Sequence, residues 1–206
     1  MTQKPDFLLP DPKLAEPLLN RIRRLAEGLG KVKIMEVCGT HTVSLRQSGV
    51  HSLLPENISF ISGPGCPVCV TPSSYIDNAL DLLQKKKALI ASFGDMLKVP
   101  GSGGQSLASY RSGGDVKLVY SAAELIPLAG KNSKAVVFLG IGFETTIPTV
   151  AAVIKKAKQE GISNLFVYTA FKTVPEALRA LVSDPENKID AFLLPGHVSV
   201  ITGKAA

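Results

Sequence analysis

The chain has 206 residues, of which 45% are apolar, and a formal net charge of +6 at neutral pH. That length and apolar content are sufficient for a buried core without disulfide or metal staples. Three cysteines are too few, and odd in number, for a secreted disulfide framework. The basic residues are scattered or lie on predicted helix faces, and there is no tryptophan, so the composition disfavours nucleic acid as a partner.

The apolar segments of the chain exclude the usual membrane signals. The N-terminal segment MTQKPDFLLPDPKL has no apolar stretch of signal-peptide length, and the longest apolar runs elsewhere, such as AVVFLGIGF, are too short to span a bilayer. We therefore expect a soluble, cytoplasmic protein with reduced thiols and no membrane partner.

Short β-branched apolar runs alternate with amphipathic stretches along the chain. The first helix begins at the Asp11-Pro12 cap, and one face of it is shared by Leu14, Leu18, Leu19, Ile22 and Leu25. The predicted strands are, in chain order, 32–37, 58–62, 88–93, 116–120, 135–139, 165–169 and 191–194. The predicted helices between them cover 42–47, a segment opening at Pro72, 122–129, 145–159 and 174–183. This alternation predicts an α/β fold of two Rossmann-like lobes, with parallel sheets flanked by helices, facing a central cleft.

The polar segment GKNSK at residues 130–134 falls between complete strand-helix units and is interpreted as a boundary. We predict a first α/β domain over residues 1–130, which holds the motifs CGTH, GPGCPVC and FGDMLKVPG. A second, truncated α/β domain over residues 131–206 holds the motifs GFETT and PGHVS.

Residues capable of chemistry are concentrated directly after the predicted strands. The carboxyl ends of parallel strands share one edge of a sheet, so these loops can converge on a common crevice. The candidate site residues are Cys38, His41, Cys66, Cys69, Asp95, Glu144 and His197. Gly65 and Gly142 would let a ligand approach the backbone closely.

Each candidate also has a purely structural interpretation. A cysteine can be a small buried hydrophobe, and a histidine near a turn can hydrogen-bond the backbone. Asp95 and Glu144 can cap helices, and Glu144 is well placed to do so just ahead of Thr145. His51, which lies outside any strand-end motif, is assigned to structure.

The cysteines support three hypotheses. The first is a zinc site, because C-x2-H at Cys38 and His41 with C-x2-C at Cys66 and Cys69 supplies a Cys3His ligand set, although a sheet protein of this size needs no such staple. The second is thiol-disulfide exchange by Cys66 and Cys69, although this pair lies further ahead of its helix than in thioredoxin. The third is a transiently held transition metal with Cys38 as a soft thiolate ligand. The residues alone do not rank the second and third.

Five segments together resemble the HypD family of hydrogenase maturation proteins, in order and spacing, from about residue 34 to residue 200. The segments are MEVCGTHT, SLLPENISFISGPGCPVCVTP, FGDMLKVPG, GFETT and PGHVS. The resemblance implies a scaffold for assembly of the Fe(CN)2CO centre of [NiFe]-hydrogenase, and leaves open whether the scaffold is itself an enzyme. It also implies two partners, a HypC-type chaperone that shares the iron and a HypE-type cyanide donor.

The same resemblance implies roles for the individual residues. By motif match, Cys38 would be the iron ligand, and His41 would lie beside it at the bound centre. Cys66 and Cys69 would form a thiol pair that passes electrons toward the iron. Asp95, Glu144 and His197 would line the cleft.

Two departures from the family pattern limit these expectations. Many relatives carry a second histidine where this chain has Val43, so no ligand role is carried to that position. Relatives also continue beyond PGHVS into a segment whose four cysteines bind a [4Fe-4S] cluster. This chain has only three cysteines, so that cluster is expected to be absent from it.

Overall fold

The computed structural model describes residues 12–203, so Asp11 of the predicted helix cap lies outside the described residues. The α-helices are α1 (Pro12–Ala26), α2 (Gly39–Ser48), α3 (Ser73–Gln84), α4 (Gly94–Leu97), α5 (Leu125–Gly130), α6 (Ile147–Gln159), α7 (Val174–Ser183) and α8 (Gly196–Thr202). The strands are β1 (Val32–Glu36), β2 (Ile58–Ser62), β3 (Leu89–Ser92), β4 (Val116–Leu118), β5 (Val136–Gly140), β6 (Leu165–Thr169) and β7 (Ala191–Leu193). Short 3-10 helices cover Val50–Ser52, Leu107–Gly113 and Ala122–Glu124.

The described chain divides into two compact units. The first unit comprises residues 12–66 and 175–199, and the second comprises residues 67–174 and 200–203. In the first unit a three-stranded sheet has the order β2-β1-β7, and both pairings are parallel. In the second unit a four-stranded sheet has the order β4-β3-β5-β6, with all three pairings parallel. The predicted α/β class with parallel sheets flanked by helices is confirmed.

The second unit buries apolar side chains on both faces of its sheet. Every residue of β5 is buried, and its side chains alternate: Val137 and Leu139 join one apolar cluster, whereas Val136 and Phe138 join the other. The first cluster contains the buried stripe of α3, and the second contains residues of α5 and α6. Strands covered on both faces read as continuous apolar runs, as β5 does.

The predicted strands coincide with observed ones to within two residues at each end. The predicted division at residue 130 stays a prediction, although β3 and β5, which pair with each other, lie on opposite sides of it. The predicted helix at 122–129 is observed as a 3-10 turn followed by α5. Ser121 and Glu124 form a capping box that fixes where it begins. Among residues 12–203, the short helices α4 and α8 and the 3-10 helices at Val50–Ser52 and Leu107–Gly113 were not predicted.

The apolar face predicted for α1 is only partly buried. Ala26 is buried, whereas Leu14, Leu18 and Leu25 are all more than half exposed. The predicted helix itself is confirmed, and its leucines follow the helical period. Among the described residues, no helix combines the length and apolar character that a membrane span requires.

Candidate functional site

Three loops meet at the carboxyl edge of the β2-β1-β7 sheet. Beyond the last strand residues, the amide of Gly63 donates to the carbonyl of Glu36 (2.9 Å), and the amide of Val37 donates to the carbonyl of Leu193 (3.2 Å). The segments that follow β2 and β7 therefore stay beside the segment that follows β1. This places Cys38, the loop that ends at Cys66, and the loop that contains His197 at one edge, as the sequence predicted for parallel strands.

Cys38 is the N-cap residue of α2. Its backbone is extended, and its carbonyl accepts from the amides of His41 (2.9 Å) and Thr42 (3.4 Å). The Cys38 side chain is partly buried and makes no capping hydrogen bond of its own. A helix N-terminus carries a partial positive charge and unsatisfied N–H groups, so this position suits a negatively charged ligand atom.

Gly65 lies directly against the backbone of the Cys38 loop. A Cβ at position 65 would lie 2.6 Å from the amide nitrogen of Gly39 and 2.8 Å from Cα of Cys38, and it would also overlap the carbonyl oxygen of Val37. These neighbours are backbone atoms that cannot rotate away. Glycine at this position therefore allows the two motifs to be in contact. This contact alone accounts for the glycine, without the ligand that we expected it to admit.

His41 and His197 contribute two imidazoles at this edge. Nδ1 of His41 is buried and has no hydrogen-bond partner within the described part of the chain. The residue as a whole is partly exposed, whereas His197, near the start of α8, is exposed. A buried ring nitrogen without a partner is costly, which is a feature typical of functional sites.

Cys69 lies in a tight loop ahead of α3. The hydroxyl of Thr71 donates to the carbonyl of Pro67 (2.8 Å), and the amide of Thr71 donates to the carbonyl of Val68 (3.2 Å). These bonds close the loop over residues 67–71, and Cys69 itself is exposed. Because α3 begins only at Ser73, the pair does not occupy the first turn of a helix as in thioredoxin-like proteins.

Asp95 and Glu144 belong to the second unit, where they follow the neighbouring strands β3 and β5. Asp95 is exposed in α4, beside an open depression of about 410 Å³ that Lys98 and Arg111 also line. Glu144 is 7% exposed, and its Oε1 accepts from the amide of Val174 (2.7 Å) at the start of α7. Glu144 was expected to cap the helix that follows it, α6. It caps a helix, but that helix is α7.

The other oxygen of Glu144, Oε2, is buried without a hydrogen-bond partner among the described residues. The glycine ahead of it, Gly142, is packed by the chain itself, because a Cβ there would lie 2.5 Å from Cβ of Thr146. As at position 65, internal packing accounts for the glycine that was expected to admit a ligand.

Across residues 12–203, no group of three or more His, Cys, Asp or Glu side chains is positioned to hold a metal ion. The Cys3His zinc set is therefore not assembled. A single thiolate that shares its metal with a partner needs no such group, so the expectation that Cys38 binds iron stays a prediction.

Glu36 and Thr42 are two residues near Cys38 that the sequence patterns did not predict. Glu36 ends β1 and is 1% exposed, yet it is the one charged residue in the apolar run from Ile34 to Val37, which was the available signal. Its carboxylate accepts hydrogen bonds from the hydroxyl of Thr42 and from the ring of His51. The assignment of His51 to structure is consistent with this contact.

Comparison with known proteins decides the family. The HypD family, described as "Hydrogenase formation hypA family", matches residues 13–206. The chain belongs to the HypD family. It is 42% identical over 199 residues to the hydrogenase maturation factor HypD of Rhodobacter capsulatus, covering 94% of this chain and 53% of that protein. It is 41% identical over 201 residues to the HypD factor of Escherichia coli K12, covering 95% and 54% respectively.

A third relative is similar to a comparable extent. A putative hydrogenase expression/formation protein of Methanocaldococcus jannaschii is 40% identical over 194 residues, which cover 94% of this chain and 54% of that protein. The chain thus spans about half the length of the curated relatives that it matches. Membership of the family supports a role in hydrogenase maturation.

Proposed function

We propose that this chain is part of a scaffold on which the Fe(CN)2CO centre of [NiFe]-hydrogenase is assembled, with Cys38 as its iron ligand. The observation that carries the proposal is the placement of Cys38. This thiol lies at the N-terminus of a ten-residue helix, at the sheet edge where the loops after β1, β2 and β7 meet. The names of the relatives, which are hydrogenase maturation factors, support the same process.

The chemistry of the cargo fits this position. Iron that carries cyanide and carbon monoxide favours soft donors such as a thiolate. The N-terminus of α2 offers positive potential to a negatively charged thiolate–iron–cyanide group. The buried Nδ1 of His41 supplies an imidazole that can hydrogen-bond a bound cyanide, which would satisfy the nitrogen left without a partner.

The proposal includes two protein partners. One thiolate leaves most coordination positions of an iron ion open, so the centre is shared with a HypC-type chaperone, and its cyanide comes from a HypE-type donor. Asp95, Glu144 and His197 are proposed to line the space in which the centre is built. The chain is proposed to work in the cytoplasm.

Cys66 and Cys69 are proposed as the thiol pair that passes electrons toward the iron. Closing a disulfide between two thiols releases two electrons and two protons, which is the amount that one such pair can deliver. Cys69 is exposed in a loop held by Thr71, so an exchange partner can reach it.

Infrared spectroscopy of the anaerobically purified complex with a HypC-type chaperone tests the iron ligand. The wild-type complex should show cyanide and carbonyl stretching bands, and Cys38→Ala should abolish them. Thr40→Ala, an exposed change in the same motif, is the matched control and should leave them in place. Bands that persist in Cys38→Ala would refute the assignment.

The exposure of Cys69 favours a second candidate function, that of a thiol-disulfide oxidoreductase that uses Cys66 and Cys69. This function predicts turnover of a disulfide substrate in the absence of iron. Activity should then survive Cys38→Ala and disappear in Cys69→Ser. Absence of turnover by the wild-type chain would rule this function out.

A further inference from the structure

The most deeply buried charged side chain of the first unit is Glu36. It is the last residue of β1, two residues before Cys38, and only 1% of its surface is exposed. Burying a carboxylate is costly unless donors satisfy it, and an apolar residue at the end of a strand would carry no such cost. The presence of Glu36 at this buried position is therefore best explained by the groups that its carboxylate binds.

Each carboxylate oxygen of Glu36 holds a different segment. Oε2 accepts from the hydroxyl of Thr42, which lies one helical turn after Cys38 in α2. Oε1 meets Nε2 of His51 at 3.1 Å, in the 3-10 helix that follows α2. The ring of His51 in turn packs on Phe60 of β2, with 5.2 Å between the ring centroids. One carboxylate thus ties both segments after β1 back to the sheet.

Apolar packing holds α2 only weakly. No residue of α2 is fully buried, and of its two apolar side chains Val43 is 55% exposed and Leu45 is partly buried. A helix of ten residues has little stability of its own in water, so its position depends on contacts with the rest of the protein. The partly buried hydrogen bond from Thr42 to Glu36 is therefore an important side-chain anchor between this helix and the end of β1.

We propose that Glu36, acting through Thr42 and His51, is a positioning residue that sets where the Cys38 thiol and the His41 ring lie. The iron-related part of this inference rests on the proposed function, whereas the placement of the thiol does not. Cys38 starts the helix that Thr42 anchors, and Gly65 fixes the backbone of Cys38 from the other side. The carboxylate and the glycine thus constrain the loop from two sides.

The thiol itself provides the first test, in the chain as it stands and without iron. Thr42→Val keeps the shape of the side chain and removes the hydroxyl donor. Alkylation by iodoacetamide, followed residue by residue by mass spectrometry, should then label Cys38 several-fold faster than in the wild type. Exposed Cys69, in the second unit, is the internal reference, and its rate should not change.

Three further variants separate this effect from a general loss of stability. Thr40→Val makes the same chemical change at an exposed position two residues earlier, and it should leave the Cys38 rate at the wild-type value. Thr42→Ser restores a hydroxyl and should return the rate close to wild type. Glu36→Gln keeps an oxygen acceptor and should be nearer to wild type than Thr42→Val. An unchanged Cys38 rate in folded Thr42→Val would overturn the proposal.

The second test uses the cyanide bands of the complex with the HypC-type chaperone. If the carboxylate positions the ligand, Thr42→Val should shift or broaden these bands at a temperature where the variant is folded, whereas Thr40→Val should leave them unchanged. A wild-type complex without cyanide bands would contradict the proposed function, and the alkylation rates would still decide the role of Glu36. Wild-type bands in Thr42→Val, with iron bound, would overturn the positioning role at the metal.

Discussion

Gly65 and Cys38 are in backbone contact, although they belong to different motifs. A side-chain carbon at position 65 would lie 2.8 Å from Cα of Cys38, a separation that real carbon atoms do not adopt. The motif that carries Cys66 therefore fixes the motif that carries Cys38. The proposed iron ligand and the first cysteine of the thiol pair are thus placed by one glycine.

This contact predicts that Gly65→Ala is strongly destabilising. The added methyl group meets three backbone positions that cannot rotate away, so β1 and the loop must separate. Overpacking of this kind costs about 1–3 kcal/mol, which corresponds to a fall in melting temperature of about 2–4 °C per kcal/mol for a chain of this size. Thermal unfolding followed by circular dichroism measures the change.

Gly39→Ala is the matched control, because it adds the same methyl group on the other side of the same contact. At position 39 the nearest atom to a new Cβ is the carbonyl oxygen of Gly65, at 4.0 Å. Alanine at position 39 therefore meets no steric obstacle. Gly39→Ala should leave the melting temperature near the wild-type value while Gly65→Ala lowers it; equal effects would contradict the contact.

His197→Ala should separate function from stability. The side chain is exposed, and exposed substitutions usually change the free energy of unfolding by less than about 0.5 kcal/mol. If His197 lines the site, the infrared bands of the proposed complex should weaken or shift while the melting temperature stays constant. Unchanged bands at full iron occupancy would remove His197 from the proposed site.

The fold was largely predictable because its signals are local. The run AVVFLG predicts β5 by its uninterrupted apolar character, and the spacing of Tyr75, Ile76, Ala79, Leu80 and Leu83 predicts the buried face of α3. The exposure of the α1 leucines was not predictable, because a helical period gives the apolar face of a helix and not what covers that face.

The candidate site was predictable only in part. The positions of Cys38 and His197 after parallel strands were enough to bring their loops to one sheet edge. The contacts of Glu36 could not be predicted in this way. Thr42 reaches Glu36 through the first turn of α2, and His51 reaches it because Gly49, with a positive φ, changes the chain direction after α2. Such a contact depends on the three-dimensional course of the loop, which periodicity does not encode.

Asp77 anchors the glycine-rich loop after the FGDMLKVPG motif. Its Oδ1 accepts from the amide of Ser102 (2.8 Å), and its Oδ2 accepts from the hydroxyl of the same residue (2.6 Å). Both bonds are exposed to solvent, which weakens them, so Asp77→Ala should lower the free energy of unfolding by about 1 kcal/mol. It should also speed hydrogen exchange at residues 101–104.

Asp81→Ala is the control for this change, since it removes a carboxylate one turn later in the same helix. Asp81 makes an exposed ion pair with Lys85, and such pairs contribute about 0.3–0.5 kcal/mol. Hydrogen exchange at residues 101–104 should stay at the wild-type rate in Asp81→Ala. Equal loop exchange in both variants would show that Asp77 does not anchor the loop.

The buried hydroxyl of Tyr75 should cause a loss of stability at alkaline pH. Its hydroxyl donates to the carbonyl of Tyr168 (2.5 Å), and the two rings stack with centroids 4.3 Å apart. Burial, with a smaller contribution from Tyr168, raises the pKa of Tyr75 well above its ordinary value of about 10. The unfolded chain therefore releases this proton at a lower pH than the folded chain, and the stability that the group contributes is full below pH 10 and lost as the pH rises above it.

The pH dependence of the stability of Tyr75→Phe should reveal the contribution of this hydroxyl. At neutral pH the variant loses a hydrogen bond and should be about 1 kcal/mol less stable than the wild type. Above about pH 10 the wild type loses the contribution of Tyr75 and the variant has none to lose, so the two unfolding free energies should converge. Tyr120→Phe, at a tyrosine that is 83% exposed, should instead follow the wild-type curve throughout. A constant difference between Tyr75→Phe and the wild type across this range would show that the buried hydroxyl does not control alkaline unfolding.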